Sequence, residues 1–154
     1  MYMVIVIALA AVLPFGAALW EAQSVASADL LALLGKWTAF FAAGVRLTIA
    51  GASQVLRPEF TLREIFEVDA DRAKPVVQEL GFANLSMGGL GLLALWHPML
   101  TLAAAMVGGI FYGLAGVRHL PGAMGNAKRM TATATDLWVF MVLAAYVAAR
   151  LAMP

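Results

Sequence analysis

Five apolar runs, each close to the length of a bilayer crossing, constrain this chain more than any other feature. They are Tyr2–Trp20, Leu30–Ala50, Gln78–Trp96, Met99–Val117 and Leu137–Met153. About 20 residues of helix cross the ~30 Å of hydrocarbon in a membrane. In that medium every backbone polar group needs an internal partner, which leaves only helices or closed barrels. The runs do not alternate apolar with polar residues as barrel strands do. The chain therefore reads as an all-α polytopic membrane helix bundle, one domain over residues 1–154. It has five transmembrane helices, or four if the first is peripheral or removed. Composition agrees: 63% of the residues are hydrophobic and 12% charged, against about a quarter charged in a soluble domain. Net charge is +1 and cysteine is absent, so there is no basic stripe for nucleic acid, and thiolate chemistry and Cys-type metal sites are excluded.

The first run has one competing reading. Ala26-Ser27-Ala28 comes after it and matches the small-residue pattern of a signal-peptide cleavage site. The residues before the run hold no Lys or Arg, however, and the run is longer than an ordinary signal core. An uncleaved helix is expected.

Charge placement orients the bundle. Of ten Lys and Arg, seven lie in two connections: Arg57, Arg63, Arg72 and Lys74, then Arg118, Lys128 and Arg129. Glu21–Asp29 and His97-Pro98 hold none. The positive-inside rule makes the basic connections cytoplasmic, with the N-terminus inside and the C-terminus outside a prokaryotic inner (plasma) membrane. Trp20 and Trp96 then belong to the outer interface and Trp138 to the inner one. Residues 51–77 form a charged cytoplasmic loop, in which Phe60, Arg63, Glu64 and Glu67 have the spacing of a short interfacial helix. Asp69-x-Asp71 lacks the ligand number that Ca²⁺ requires and reads as solvated.

Two glycine seams stand out. Gly81, Asn84, Gly88 and Gly91 share one face of the third helix, and Gly109, Tyr112, Gly113 and Gly116 one face of the fourth. Small residues at this spacing let helix backbones approach closely in lipid. Because His97-Pro98 forces the two helices to be antiparallel neighbours, the seams are expected to pack on each other. Asn84 is expected to bond across helices, and Ser86 back into its own.

Ionisable groups near hydrocarbon are candidate sites by default. Glu79 opens the third run and Asp136 the fifth, so each is placed to cap or complement a helix N-terminus. Arg46 and Lys36 lie inside the second run and are expected to snorkel toward opposite interfaces. Arg46, Glu79, Asn84, His119, Asn126 and Asp136 all come from cytoplasmic helix ends or the turns just inside them. With helices 8–10 Å apart those ends converge. Glu79 can then pair with Arg46, Arg57 or Arg118, or face a cavity with His119. Such a cluster suits a polar head group; no metal site or tightly bound cofactor is expected, and quinone or lipid are the ligand classes it would take.

Glu79-x-Gly81-x-Ala83-Asn84-Leu85, then Gly88 and Gly91, a glycine-rich helix ending near His119, Gly125-Asn126 and Asp136 together resemble a family of small prokaryotic integral membrane proteins of unknown function. That family is broadly similar to DoxX-type membrane proteins. The resemblance spans about Arg57 to Leu143 and carries over Glu79, Asn84, His119, Asn126 and Asp136; Lys128-Arg129 departs from its pattern. It implies no established activity, and a link to quinone-dependent redox chemistry is analogy from fold. With no nucleophile or cofactor motif, the first reading is a non-enzymatic accessory or scaffold subunit that binds lipid, another membrane protein or itself. A quinone-linked redox component using Glu79 or His119 comes second. A small transporter comes third, because Lys36 is almost alone in the outer half.

Overall fold

The computed structural model describes residues 2–24, 27–65, 71–121 and 127–152, and every regular element among them is helical. Helix α1 covers residues 2–22, α2 is Leu30–Leu56, and a short α3 covers 58–65. Helix α4 is Lys74–Leu93, α5 Thr101–His119 and α6 Ala127–Ala152. Four helices are long and apolar enough to cross a membrane: Met3–Ala22, Leu30–Leu56, Pro98–His119 and Arg129–Ala152. The long helix outside that set is α4, which carries Lys74, Gln78, Glu79, Asn84 and Ser86. The first run, whose loss would have left four spans, is among the helices long and apolar enough to cross. Ala26 of the cleavage pattern, Glu67 and Asp69 of the charged loop, and Gly125 lie outside the described residues.

Helix α2 is the hub. Gly44 meets Gly91, Thr48 meets Gly88 and Gly51 meets Gly81, a descending register that makes α2 and α4 antiparallel. A Cβ on Gly44 would sit 2.9 Å from the Gly91 carbonyl carbon, and one on Gly51 2.7 Å from the Gly81 oxygen. These backbones are closer than any side chain allows. On α5, Gly113 faces Phe140 and Gly116 faces Leu137, while Gly108 meets Ala43 of α2. The seams thus do not pack on each other. The α4 seam seats on α2, the α5 seam on α6, and α4 and α5 touch only lightly. A short turn fixes direction but not which faces meet.

Two helices depart from regular α geometry. Residues Ala8–Val12 of α1 and Ala39–Arg46 of α2 are π-helical and pack against one another. The turn in α1 has a local cause. Pro14 lacks an N–H, and its ring would strike the carbonyl of Ala10 in a straight α-helix. Widening the preceding turn moves that carbonyl away, so the helix passes through Pro14 without ending.

The end of the bundle away from the basic connections is closed by a polar clasp. Lys36 Nζ donates to both carboxylate oxygens of Glu21 at 2.8 Å, and Trp37 Nε1 donates to Glu21 Oε2 at 2.7 Å. Lys36 thus reaches the Glu21 end of α1 and ties the α1–α2 hairpin. Trp138, expected at an interface, lies well inside α6 and stacks on Phe15 with centroids 5.8 Å apart.

Candidate functional site

Helices α1, α2, α4, α5 and α6 leave a cavity of about 440 Å³ between them. Its apolar wall comes from Ile5, Val6, Leu9, Leu47, Ile49, Leu80 and Phe111, with Phe60 of α3 at one edge. Ile5, Ile49 and Phe60 are also exposed, so the cavity opens between apolar side chains at the surface of the bundle. Its polar wall is Arg46, Gln54, Asn84, Tyr112, Arg118, His119 and Asp136, with the hydroxyl residues Ser53 and Thr61 beside them.

Arg46 and Asp136 form the centre of that wall. Arg46 Nη2 donates to Asp136 Oδ1 at 2.7 Å, and the two side chains are only 13% and 6% exposed. The Arg46 guanidinium also lies over the Tyr112 ring, 5.0 Å from its centroid. The π stretch of α2 helps to hold this arrangement. Regular π bonding would send the Leu47 N–H to the Ala42 carbonyl, but it goes to Gly44 instead. Tyr112 Oη then donates to the Ala42 oxygen at 2.7 Å. Beside them Asn84 Nδ2 donates across helices to Gln54 Oε1 at 2.7 Å. Asn84 is 2% exposed, and its Oδ1 has no hydrogen-bond partner among the described residues.

Four of the six residues expected to cluster do so: Arg46, Asn84, His119 and Asp136 line one cavity. Asn126 lies outside the described residues. Glu79 is not part of the cluster. It is exposed in the second turn of α4, and among the described residues no hydrogen bond or ion pair joins it to Arg46, Arg57, Arg118 or Asp136. Asp136 corrects a second expectation. Helix α6 begins at Ala127, so Asp136 lies well inside it and does not cap its N-terminus. In this polar lead-in Thr131, Thr133 and Thr135 satisfy their own hydroxyls by donating to the carbonyls of Ala127, Arg129 and Thr131 four residues back. Arg46, likewise, is held by Asp136 instead of snorkelling to an interface.

Gln54 and Tyr112 belong to the polar wall but are not evident as site residues in the sequence. The second apolar run reads as ending at Ala50, which hides Gln54 in a loop; yet eight residues after Arg46 is a little over two helical turns on the same face. Among the described residues no three His, Asp or Glu side chains converge to hold a metal ion. Asp71, of the aspartate pair, is hydrogen-bonded to Lys74 at 2.9 Å, which together with the ammonium charge holds its carboxyl below the ordinary value.

Chemically the wall offers hydrogen-bond donors, acceptors and charge. Its arginine and aspartate are joined through Nη2 and Oδ1, while Arg118 stands exposed at the rim and the buried Asn84 Oδ1 lacks a donor. A family model described as a family of unknown function, DUF6790, matches residues 1–153. No curated protein and no solved structure matches the chain.

Proposed function

Because the chain belongs to the DUF6790 family, whose function is unknown, we propose a role from its own geometry: a non-enzymatic accessory subunit of the prokaryotic inner membrane that holds an amphipathic molecule. One observation carries the reading. The cavity joins a polar wall of Arg46, Asn84, His119 and Asp136 to an apolar opening between exposed Ile5, Ile49 and Phe60. A volume of about 440 Å³ falls within the roughly 300–1,000 Å³ of small-ligand pockets. An entrance lined by exposed apolar side chains of a membrane helix bundle favours a ligand delivered from the bilayer. The polar wall supplies fixed donors and charges, an arrangement suited to holding a polar head group.

The experiment is purification from native membranes followed by mass spectrometry of the proteins, lipids and quinones that accompany the chain. A stoichiometric lipid together with a partner protein supports the accessory role. A tightly held quinone replaces it with the redox reading, in which His119 is the proton-exchanging group in the cavity, because Glu79 lies outside it.

A further inference from the structure

The cavity's charge and its unsatisfied amide specify more than amphipathicity. Two arginines, Arg46 and Arg118, face it with a single carboxylate, Asp136; counting His119 as neutral, its lining carries one surplus positive charge. Arg46 is committed to Asp136, which leaves the exposed Arg118 to supply the surplus at the rim. No acidic side chain among the described residues pairs with Arg118. Deeper in the wall, Asn84 Oδ1 is a buried acceptor without a donor. Leaving such a group unmatched is costly, and a ligand O–H or N–H removes that cost. An arginine at the mouth selects an anion and the amide oxygen selects a donor, while Leu9, Leu47 and Leu80 accept hydrocarbon.

We infer that the cavity binds an anionic glycerophospholipid whose head group carries a free hydroxyl, with phosphate at Arg118, hydroxyl at Asn84 Oδ1 and acyl chain along the apolar wall. The inference rests on the cavity's being a ligand site, as proposed above, and adds the identity of the head group.

The test is native mass spectrometry of the full-length protein released from mixed micelles. Phosphatidylglycerol, phosphatidylmethanol and phosphatidylcholine of matched acyl chains are offered in turn. Phosphatidylglycerol should be retained at one per chain, about tenfold more tightly than phosphatidylcholine, and Arg118→Gln should erase that preference. Arg118 is exposed, so the substitution leaves the fold intact. Phosphatidylmethanol has the charge without the hydroxyl and should bind several-fold less tightly than phosphatidylglycerol. In Asn84→Leu that difference should vanish; should this variant not fold, the lipid comparison in the native chain still tests the hydroxyl. Equal retention of phosphatidylglycerol and phosphatidylcholine, unchanged in Arg118→Gln, overturns the head-group assignment while leaving the cavity reading intact. Displacement of the lipid by millimolar glycerol 3-phosphate overturns the requirement for a tail. Retention of no lipid at all overturns both.

Discussion

Deleting one member of the Arg46–Asp136 pair should destabilise the protein far more than deleting both. The separation is 2.7 Å, so at an effective dielectric of about 20 the Coulomb attraction is about 6 kcal/mol. Desolvation opposes it by several kcal/mol per ion, so the net worth of the intact pair is small. The side chains are 13% and 6% exposed, which leaves little solvent to rescue an orphan. Asp136→Leu should therefore cost about 3–5 kcal/mol by removing the carboxylate that pairs with the buried guanidinium. Arg46→Met should cost a similar amount, about 3–5 kcal/mol, by stranding the carboxylate. The double variant replaces both ions with apolar groups and should fall within about 1–2 kcal/mol of the native chain. A double-mutant cycle measured by denaturant titration in mixed micelles, with tryptophan fluorescence as the probe, gives the coupling directly. Single variants each costing less than ~1 kcal/mol, or a double variant costing the sum of the singles, would refute the reasoning: the pair would then be neither buried nor coupled.

The packing sets three further outcomes. Gly91→Ala places a methyl 2.6 Å from the Gly44 Cα and should destabilise by about 1–3 kcal/mol, whereas Gly89→Ala, with no atom within 4 Å of its Cβ, should stabilise by up to about 1 kcal/mol; thermal melts of the two in one detergent check the contrast. Tyr112→Phe removes the donor to the buried Ala42 oxygen and should lower stability by about 1–3 kcal/mol. Amide exchange in the π stretch should rise with it. Glu21→Gln weakens a clasp about a third exposed at both ends and should cost no more than ~1 kcal/mol, read as a small drop in melting temperature that high salt reproduces in the native chain.

The sequence exposes the spans, the glycine seams and the membership of most of the polar wall, because each leaves a local signature. For Glu79 the deciding signature is angular. It lies five residues before Asn84, about 140° around the helix, so if the seam of Gly81, Asn84 and Gly88 faces inward, Glu79 must face out. Its position near a helix start points to a convergence that the helical angle denies. Asp136 is obscured for a different reason. Ala127-Lys-Arg-Met-Thr-Ala-Thr-Ala-Thr-Asp136 has no apolar periodicity to mark it as helix, and its threonine hydroxyls are satisfied within the helix that forms. The partner of each glycine seam is not legible at all. A row of small residues says that a backbone comes close, not whose.

The cavity and the π stretches are best understood as one device. A π turn takes an extra residue, so the helix beyond it presents a different face from the one a continuous α-helix would show. In α2 the stretch ends at Arg46, whose side chain turns inward to Asp136 and over Tyr112. In α1 the π turn contains Leu9, on the opposite wall of the same cavity. The two stretches pack on each other. Tyr112 fastens the arrangement by taking the Ala42 carbonyl that Leu47 does not use. Close glycine packing elsewhere, between α2 and α4 and between α5 and α6, holds the helices rigidly enough for the gap to persist. The same helix that packs most tightly, α2, therefore also carries Arg46, which anchors the polar wall through Asp136. Straightening α2 by removing the Tyr112 hydroxyl should loosen that charge and lower lipid retention together, a coupling that a merely structural π turn would not show.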